Sequence, residues 1–124
     1  MTEIQRSETH VRIRLETDED VWFWERRFNV FDFLDVFPSE SIAPAAEGDA
    51  PSPRAPVQLT VNTDAGFAFE TDIVRGGFYL RSQSHGTRKW MSARNIRAGD
   101  TIVIERTGGT TFSLSKESPS GAEQ

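Results

Sequence analysis

Cysteine is absent from the sequence, which excludes disulfides, thiolate chemistry and cysteine–zinc sites. Histidine occurs only at positions 10 and 85, and neither belongs to a pair with metal-ligand spacing. No apolar run approaches the ~20 residues that span a bilayer. The opening MTEIQRSETH also lacks the apolar stretch of a secretory signal. Together these absences predict a cytoplasmic chain with no membrane partner and no cofactor.

What is present suits one domain. A chain of 124 residues buries roughly two-thirds of the surface its unfolded form exposes, enough for one hydrophobic core and not for two. The formal net charge is -5, but it is unevenly spread. Residues 1–50 carry 5 basic and 12 acidic groups, whereas residues 75–106 carry 7 basic groups (Arg75, Arg81, Arg88, Lys89, Arg94, Arg97, Arg106) and 2 acidic ones. A basic segment inside an acidic chain fits a polyanion-binding surface. It fits equally a strand face whose arginines pair with the acidic half.

The hydrophobic pattern is mostly of period two. Val11, Ile13 and Leu15 alternate with polar residues over 10–16, predicting a half-buried strand. Residues 17–20 read as a polar turn and 21–27 as an aromatic strand carrying Trp22 and Trp24 on one face. Residues 29–37 are ambiguous between helix and strand until Pro38 ends them, and 39–42 suit one helical turn. The Pro-, Ala- and Gly-rich stretch 44–56 reads as a flexible surface loop. Val57, Leu59 and Val61 predict a strand, Asn62 to Gly66 a turn, and Phe67, Phe69 and Thr71 the returning strand. Gly76 and Gly77 break it. Phe78, Leu80 and Ser82 then face one way, and Tyr79, Arg81 and Gln83 the other. After a turn at 84–87, residues 89–95 suit a short helix around Trp90. A Gly99-Asp100 turn, a strand at 101–105, a hairpin loop at 107–110 and a last strand through Phe112 and Leu114 complete the chain. Residues 1–9 are expected to be flexible, 10–116 to form a single mainly β domain shaped as a small barrel, and 117–124 to be disordered.

Catalytic constellations are thin. His10 lies near the frayed start, and His85 sits in a Ser-His-Gly turn with no nucleophile-elbow pattern around it. Asp18, Glu19 and Asp20 could hold a hard cation but lack calcium-loop spacing and read better as a solvated turn. Arg75-Gly76-Gly77-Phe78 is not a phosphate loop, since no Gly-Lys-Ser/Thr follows. The balance favours a binding module over an enzyme. The best candidate is the polar face and turn of 78–89: Tyr79, Arg81 and Gln83 on the strand, then Ser84, His85, Thr87, Arg88 and Lys89. Arginine can donate two hydrogen bonds to guanine and glutamine can pair with adenine, while lysine, serine and threonine hold phosphates. Trp90 reads as core, and Trp22 and Trp24 as a core edge, a partner surface or a base-stacking platform.

Three runs carry a family resemblance: VQLTVNTDAGFAF from Val57, GFYLRS from Gly77, and KWMSARNIRAGDTIVIER from Lys89, with Phe37-Pro38-Ser39 upstream. They resemble B3-type DNA-binding domains, found in plant transcription factors and in the effector domains of restriction endonucleases. The Gly-Asp turn entering a strand also occurs in AbrB-like swapped-hairpin regulators. The B3 resemblance implies a seven-stranded open pseudobarrel with one or two short helices. It further implies two arms that grip the major groove of double-stranded DNA, for transcription control or as the recognition module of a nuclease. The carboxy-side arm falls on 72–85 and includes Arg75. The amino-side arm falls on 25–35, where Arg26, Arg27 and Asn29 suit DNA but Asp32 and Asp35 would repel phosphate unless one accepts from cytosine N4. Cleavage would need a partner nuclease subunit, and exposed aromatics leave room for a protein partner instead.

Overall fold

The computed structural model describes residues 2–45, 48, 53–75, 77–81 and 86–117. The protein is mainly β. Its strands are β1 (Thr2–Arg6), β2 (His10–Leu15), β3 (Leu59–Thr63), β4 (Ala68–Thr71), β5 (Ile73–Val74), β6 (Tyr79–Leu80), β7 (Thr101–Arg106) and β8 (Thr111–Glu117). Six of them form one mixed sheet in the order β1-β2-β7-β8-β3-β4, and β5 and β6 form a separate two-stranded ribbon. Pairing is antiparallel except between β3 and β8. The large sheet is open, as the pseudobarrel expectation has it, with β1 and β4 as its ends, so it is not a closed barrel, and eight strands among the described residues stand where seven were expected.

Alternation builds the core as expected. Val11 and Ile13 of β2 lie opposite Ile104 and Ile102 of β7, Ile104 lies opposite Leu114 of β8, and Phe112 of β8 lies opposite Val61 of β3, with Leu15 and Leu59 extending the alternation of β2 and β3. All nine side chains are buried. Phe37 stacks on Phe112 at 4.7 Å, closing this face from above. Glu117, expected to open a disordered tail, instead ends β8, where Arg12 of β2 pairs with it across β7. The rest of that tail, 118–124, lies outside the described residues.

Three expectations fail on the amino-terminal side. Residues 2–6, expected to be flexible, pair with β2 as an edge strand. Residues 21–27, expected as a strand, belong to helix α1 (Asp18–Arg26) and its cap. The reason lies in 17–20, expected as a turn, where Thr17 caps the helix. Its hydroxyl accepts from the Asp20 amide at 3.1 Å, and the Asp20 carboxylate accepts from the Thr17 and Glu16 amides. Asp18, Glu19 and Asp20 lie in the first turn, where the helix dipole favours negative charge, and the Asp20 carboxylate is taken up by the cap. Residues 31–36 form a kinked 3-10 helix, and 39–41 the single helical turn expected there.

Helix α2 (Gly86–Ala93) starts three residues earlier than expected and carries Thr87, Arg88 and Lys89 out of the turn. Asn95, at φ 54°, ends it in the left-handed region, and the Ile96 amide donates back to the Met91 carbonyl at 3.0 Å. Trp90 is fully buried, and its indole N–H donates to Asp64 Oδ1 at 2.7 Å. Asp64 also accepts from the Lys116 amide and lies 3.2 Å from Arg94, so one turn carboxylate ties α2 to β8. Burial would raise the Asp64 carboxyl, but the donors from Trp90, Lys116 and Arg94 outweigh it and hold the group below its ordinary value. The Gly99-Asp100 turn is fastened in the same way. Asp100 accepts from the Arg97 amide at 2.8 Å and pairs with Lys116 at 3.5 Å. No helix is long and apolar enough to cross a membrane, among the described residues.

Candidate nucleic-acid interface

The two segments that the resemblance casts as arms are joined through their backbones. The Leu80 amide donates to the Phe28 carbonyl at 3.0 Å, the Val30 amide donates to the Phe78 carbonyl at 2.9 Å, and Asn29 bridges to Tyr79. Residues 28–30 thus lie beside β6 as an added antiparallel stretch. Phe28 and Val30 point into the core, leaving Asn29 and Phe31 outside. Two successive positive φ angles turn the chain into β6, Gly77 at 100° and Phe78 at 50°. A bulky residue in that region is strained, and such strain gathers at sites where it is held by surrounding contacts. Here Asn29 supplies one: its Nδ2 donates to the Gly77 carbonyl at 2.9 Å, while its Oδ1 accepts from the Phe31 amide at 3.0 Å.

Side chains gather on this joint. Arg27 lies over the Tyr79 ring at 4.6 Å, and Arg26 over the Trp22 ring at 4.0 Å. Phe31 is 60% exposed, and its ring centroid lies 5.7 Å from that of Phe78. Trp22 and Phe23 are 50% and 55% exposed and meet edge to face at 5.3 Å. Trp24 is buried against Phe28, because two residues along a helix rotate a side chain by about 200°. The expectation that Trp22 and Trp24 share a face therefore fails with the strand assignment. Of the two acidic residues singled out in this segment, Asp35 is held by a bidentate bond from Arg6, both contacts 2.6 Å, which places its carboxyl below the ordinary range. Asp32 remains an exposed carboxylate.

The other predicted site residues are placed differently. Arg81 does not project with Tyr79. Its Nε donates to Asp72 Oδ1 at 2.6 Å and its Nη2 to the Pro53 carbonyl at 2.7 Å, against an Asp72 side chain that is wholly buried. Arg81 is thus engaged in a largely buried ion pair instead of projecting beside Tyr79. Arg75 is exposed and donates to the Ala43 carbonyl at 2.9 Å. Arg88 and Lys89 lie on the outer side of α2, with the Lys89 ammonium 4.8 Å above the Phe67 ring. Gln83, Ser84 and His85 lie outside the described residues. Within the basic segment Arg106 is also committed, donating to the Val36, Gly108 and Gly109 carbonyls beside a cleft of about 450 Å³ lined by Pro38, Glu40 and Val57. Among the described residues no group of three His, Asp or Glu side chains could hold a metal ion.

The structure thus brings together Arg27, Asn29 and Tyr79 from the predicted set and adds Phe31 and Phe78, while Arg26 lies next in sequence, stacked on Trp22 of α1. Sequence reasoning had one usable signal for that stack, the helical spacing of Trp22 and Arg26, which the strand reading of 21–27 concealed. Comparison with protein-family models, curated proteins and solved structures finds no match to this chain.

Proposed function

We propose that this chain binds double-stranded DNA as a B3-type module, through the surface on which residues 26–31 adjoin 77–79. One observation carries the reading: consecutive arginines, Arg26 and Arg27, each lie over an aromatic ring. Stacking uses the face of the guanidinium plane and leaves its charge and its N–H edges, which suit phosphate oxygens or guanine O6 and N7. The Arg27 guanidinium makes no hydrogen bond among the described residues. Arg26 donates one N–H to the Trp22 carbonyl at 3.2 Å and has Glu25 at 3.8 Å, which leaves Arg27 the freer of the two. Asn29 has both ends of its amide engaged, so its part is to hold the surface in shape rather than to read adenine. Asp32 is of the type that accepts from cytosine N4. Arg75, Arg88 and Lys89 are exposed cations of the type that holds phosphates. Such a module would serve transcription control or direct a nuclease subunit, with no catalysis of its own.

Fluorescence anisotropy with a randomised duplex pool tests this. Affinity should fall steeply between about 50 and 200 mM salt, because each neutralised phosphate releases counterions. Arg27→Ala should reduce the slope of log K against log salt by about 1. Absence of salt-sensitive binding at low salt would sink the proposal. The exposed Trp22 and Phe23 favour a second reading, a protein partner docking on α1. Capture of a partner that is lost in Trp22→Ala yet unchanged in Arg27→Ala would select it.

A further inference from the structure

Phe31 stands out within this surface for what it costs the free protein. It exposes more than half of a large apolar side chain, and three contacts hold it there. Its amide is bound by Asn29 Oδ1, its ring lies tilted at 44° to that of Phe78, and Phe78 keeps a strained φ of 50° under a 2.9 Å bond from the Val30 amide. Val30 and Phe33 on either side are fully buried, so the backbone beneath Phe31 is anchored in the core. An aromatic ring placed in water on a rigid seat, packed on the segment whose Tyr79 carries Arg27, has the character of a wedge that enters a stack of bases. Apolar side chains used in this way insert at a base step, unstack it and kink the duplex. Arg27, stacked on Tyr79 of the same 77–79 segment, supplies a positive charge that a nucleic acid complements and a neutral apolar partner does not.

We infer that Phe31 is a stacking wedge, entering a base step of bound DNA and giving the surface a preference for steps already weakened by a mismatch or an unpaired base. The inference rests on the DNA-binding reading above and adds the kind of DNA preferred. Opening a step costs least where pairing is already lost, and that difference becomes the selectivity.

The test compares one fully paired duplex with the same duplex carrying a central mismatch, each with 2-aminopurine beside the central pair. Anisotropy reports binding, and 2-aminopurine fluorescence reports unstacking. The mismatched duplex should bind about tenfold more tightly, within the range of one base–aromatic stack, and fluorescence should rise on binding. Phe31→Ala should abolish both the preference and the rise while keeping the salt dependence; Phe31→Leu, still an apolar wedge, should keep part of each. Near-UV circular dichroism of the variants checks that an exposed substitution leaves the core intact. Salt-sensitive binding without mismatch preference, or with a preference that survives Phe31→Ala, overturns the wedge and leaves DNA binding standing. No salt-sensitive binding to either duplex overturns both. Self-association on sedimentation that disappears in Phe31→Ala would assign the ring to a contact between copies and overturn the wedge as well.

Discussion

Removing either partner of the Asp72–Arg81 pair should be among the most damaging single changes in the protein. Asp72 is wholly buried and accepts three hydrogen bonds: from Arg81 Nε at 2.6 Å, from Arg81 Nη2 at 3.2 Å and from the Ala55 amide at 2.7 Å. Asp72→Ala would leave a guanidinium only 16% exposed without its counter-ion and strip the Ala55 N–H of its acceptor. Breaking one side of a buried pair costs roughly 3–5 kcal/mol, against the ~5–15 kcal/mol that holds a typical domain folded. With a urea m-value of about 1.5 kcal/mol/M, the unfolding midpoint should fall by roughly 2–3 M. The double change Asp72→Ala with Arg81→Met leaves no unpaired charge and should cost far less than Asp72→Ala and Arg81→Met added together, a coupling of roughly 2–3 kcal/mol. Equilibrium urea unfolding, followed by the fluorescence of the buried Trp24 and Trp90, measures all four proteins. Single variants that each lose less than about 1 kcal/mol, or losses that simply add, would refute the reasoning, since either would mean the pair is effectively solvated. The same series separates a structural Arg81 from a base-reading one. DNA affinity measured well below the unfolding midpoint should survive in the double variant.

Asp64 carries the pH dependence. Its folded-state pKa is depressed, so its contribution is present above the unfolded carboxyl value and disappears as pH falls through the folded one; the gap in urea midpoint between wild type and Asp64→Asn should narrow steadily below about pH 4. Gly86→Ala would set a methyl 2.3 Å from Phe69 Cγ and 2.4 Å from Cδ2, so despite alanine's better helix propensity it should destabilise by about 1–3 kcal/mol in thermal unfolding, with Phe69→Ala relieving most of the loss. Changing Asp18 to Asn together with Glu19 to Gln should raise DNA affinity several-fold at about 10 mM salt and leave it unchanged at about 0.15 M, as titrations at the two salt concentrations would read.

The parts of the fold that could be read in the sequence are those whose signal is local. Strands β2, β3, β7 and β8 carry strict alternation of Val, Ile, Leu and Phe, and each buries the side it promised. Strand β1 has no such signal, since Ile4 is the one large apolar residue in TEIQR and pairing with β2 supplies the rest. In α1 two local signals conflicted. The β-prone Val, Trp and Phe of 21–24 suggested a strand, while the Thr17 cap, three acidic residues behind it and Arg26 in the last turn encoded a helix. Tertiary packing of Trp24 on Phe28 agrees with the caps. Most of the site depends on pairings far apart in sequence. Nothing local to 78–83 distinguishes Tyr79, which receives Arg27, from Arg81, which is drawn inward by Asp72 and the Pro53 carbonyl. Period-two reading placed both on one face, but the two-residue β6 ends before such a face is established.

The acidic total remains compatible with an anionic ligand because its charges are unequally available. Asp35, Asp64, Asp72, Asp100 and Glu117 are each matched by an arginine or lysine within 4 Å. Their negative charge is largely cancelled at a distance, as is the positive charge of their partners Arg6, Arg12, Arg81, Arg94 and Lys116. Arg27 differs in kind: stacked on a neutral ring, it keeps its full positive charge where 26–31 meets 77–79. Arg26 shares that arrangement over Trp22, offset in part by Glu25 at 3.8 Å, the longest of these ion contacts. The carboxylates of Asp18 and Glu19 lie at the opposite end of α1, and eight residues of helix separate Asp18 from Arg26 by about 12 Å. That exceeds the ~8 Å screening length of physiological salt and falls well inside the ~30 Å length at about 0.01 M. At physiological salt the Asp18 and Glu19 carboxylates are therefore largely screened from Arg26 and Arg27.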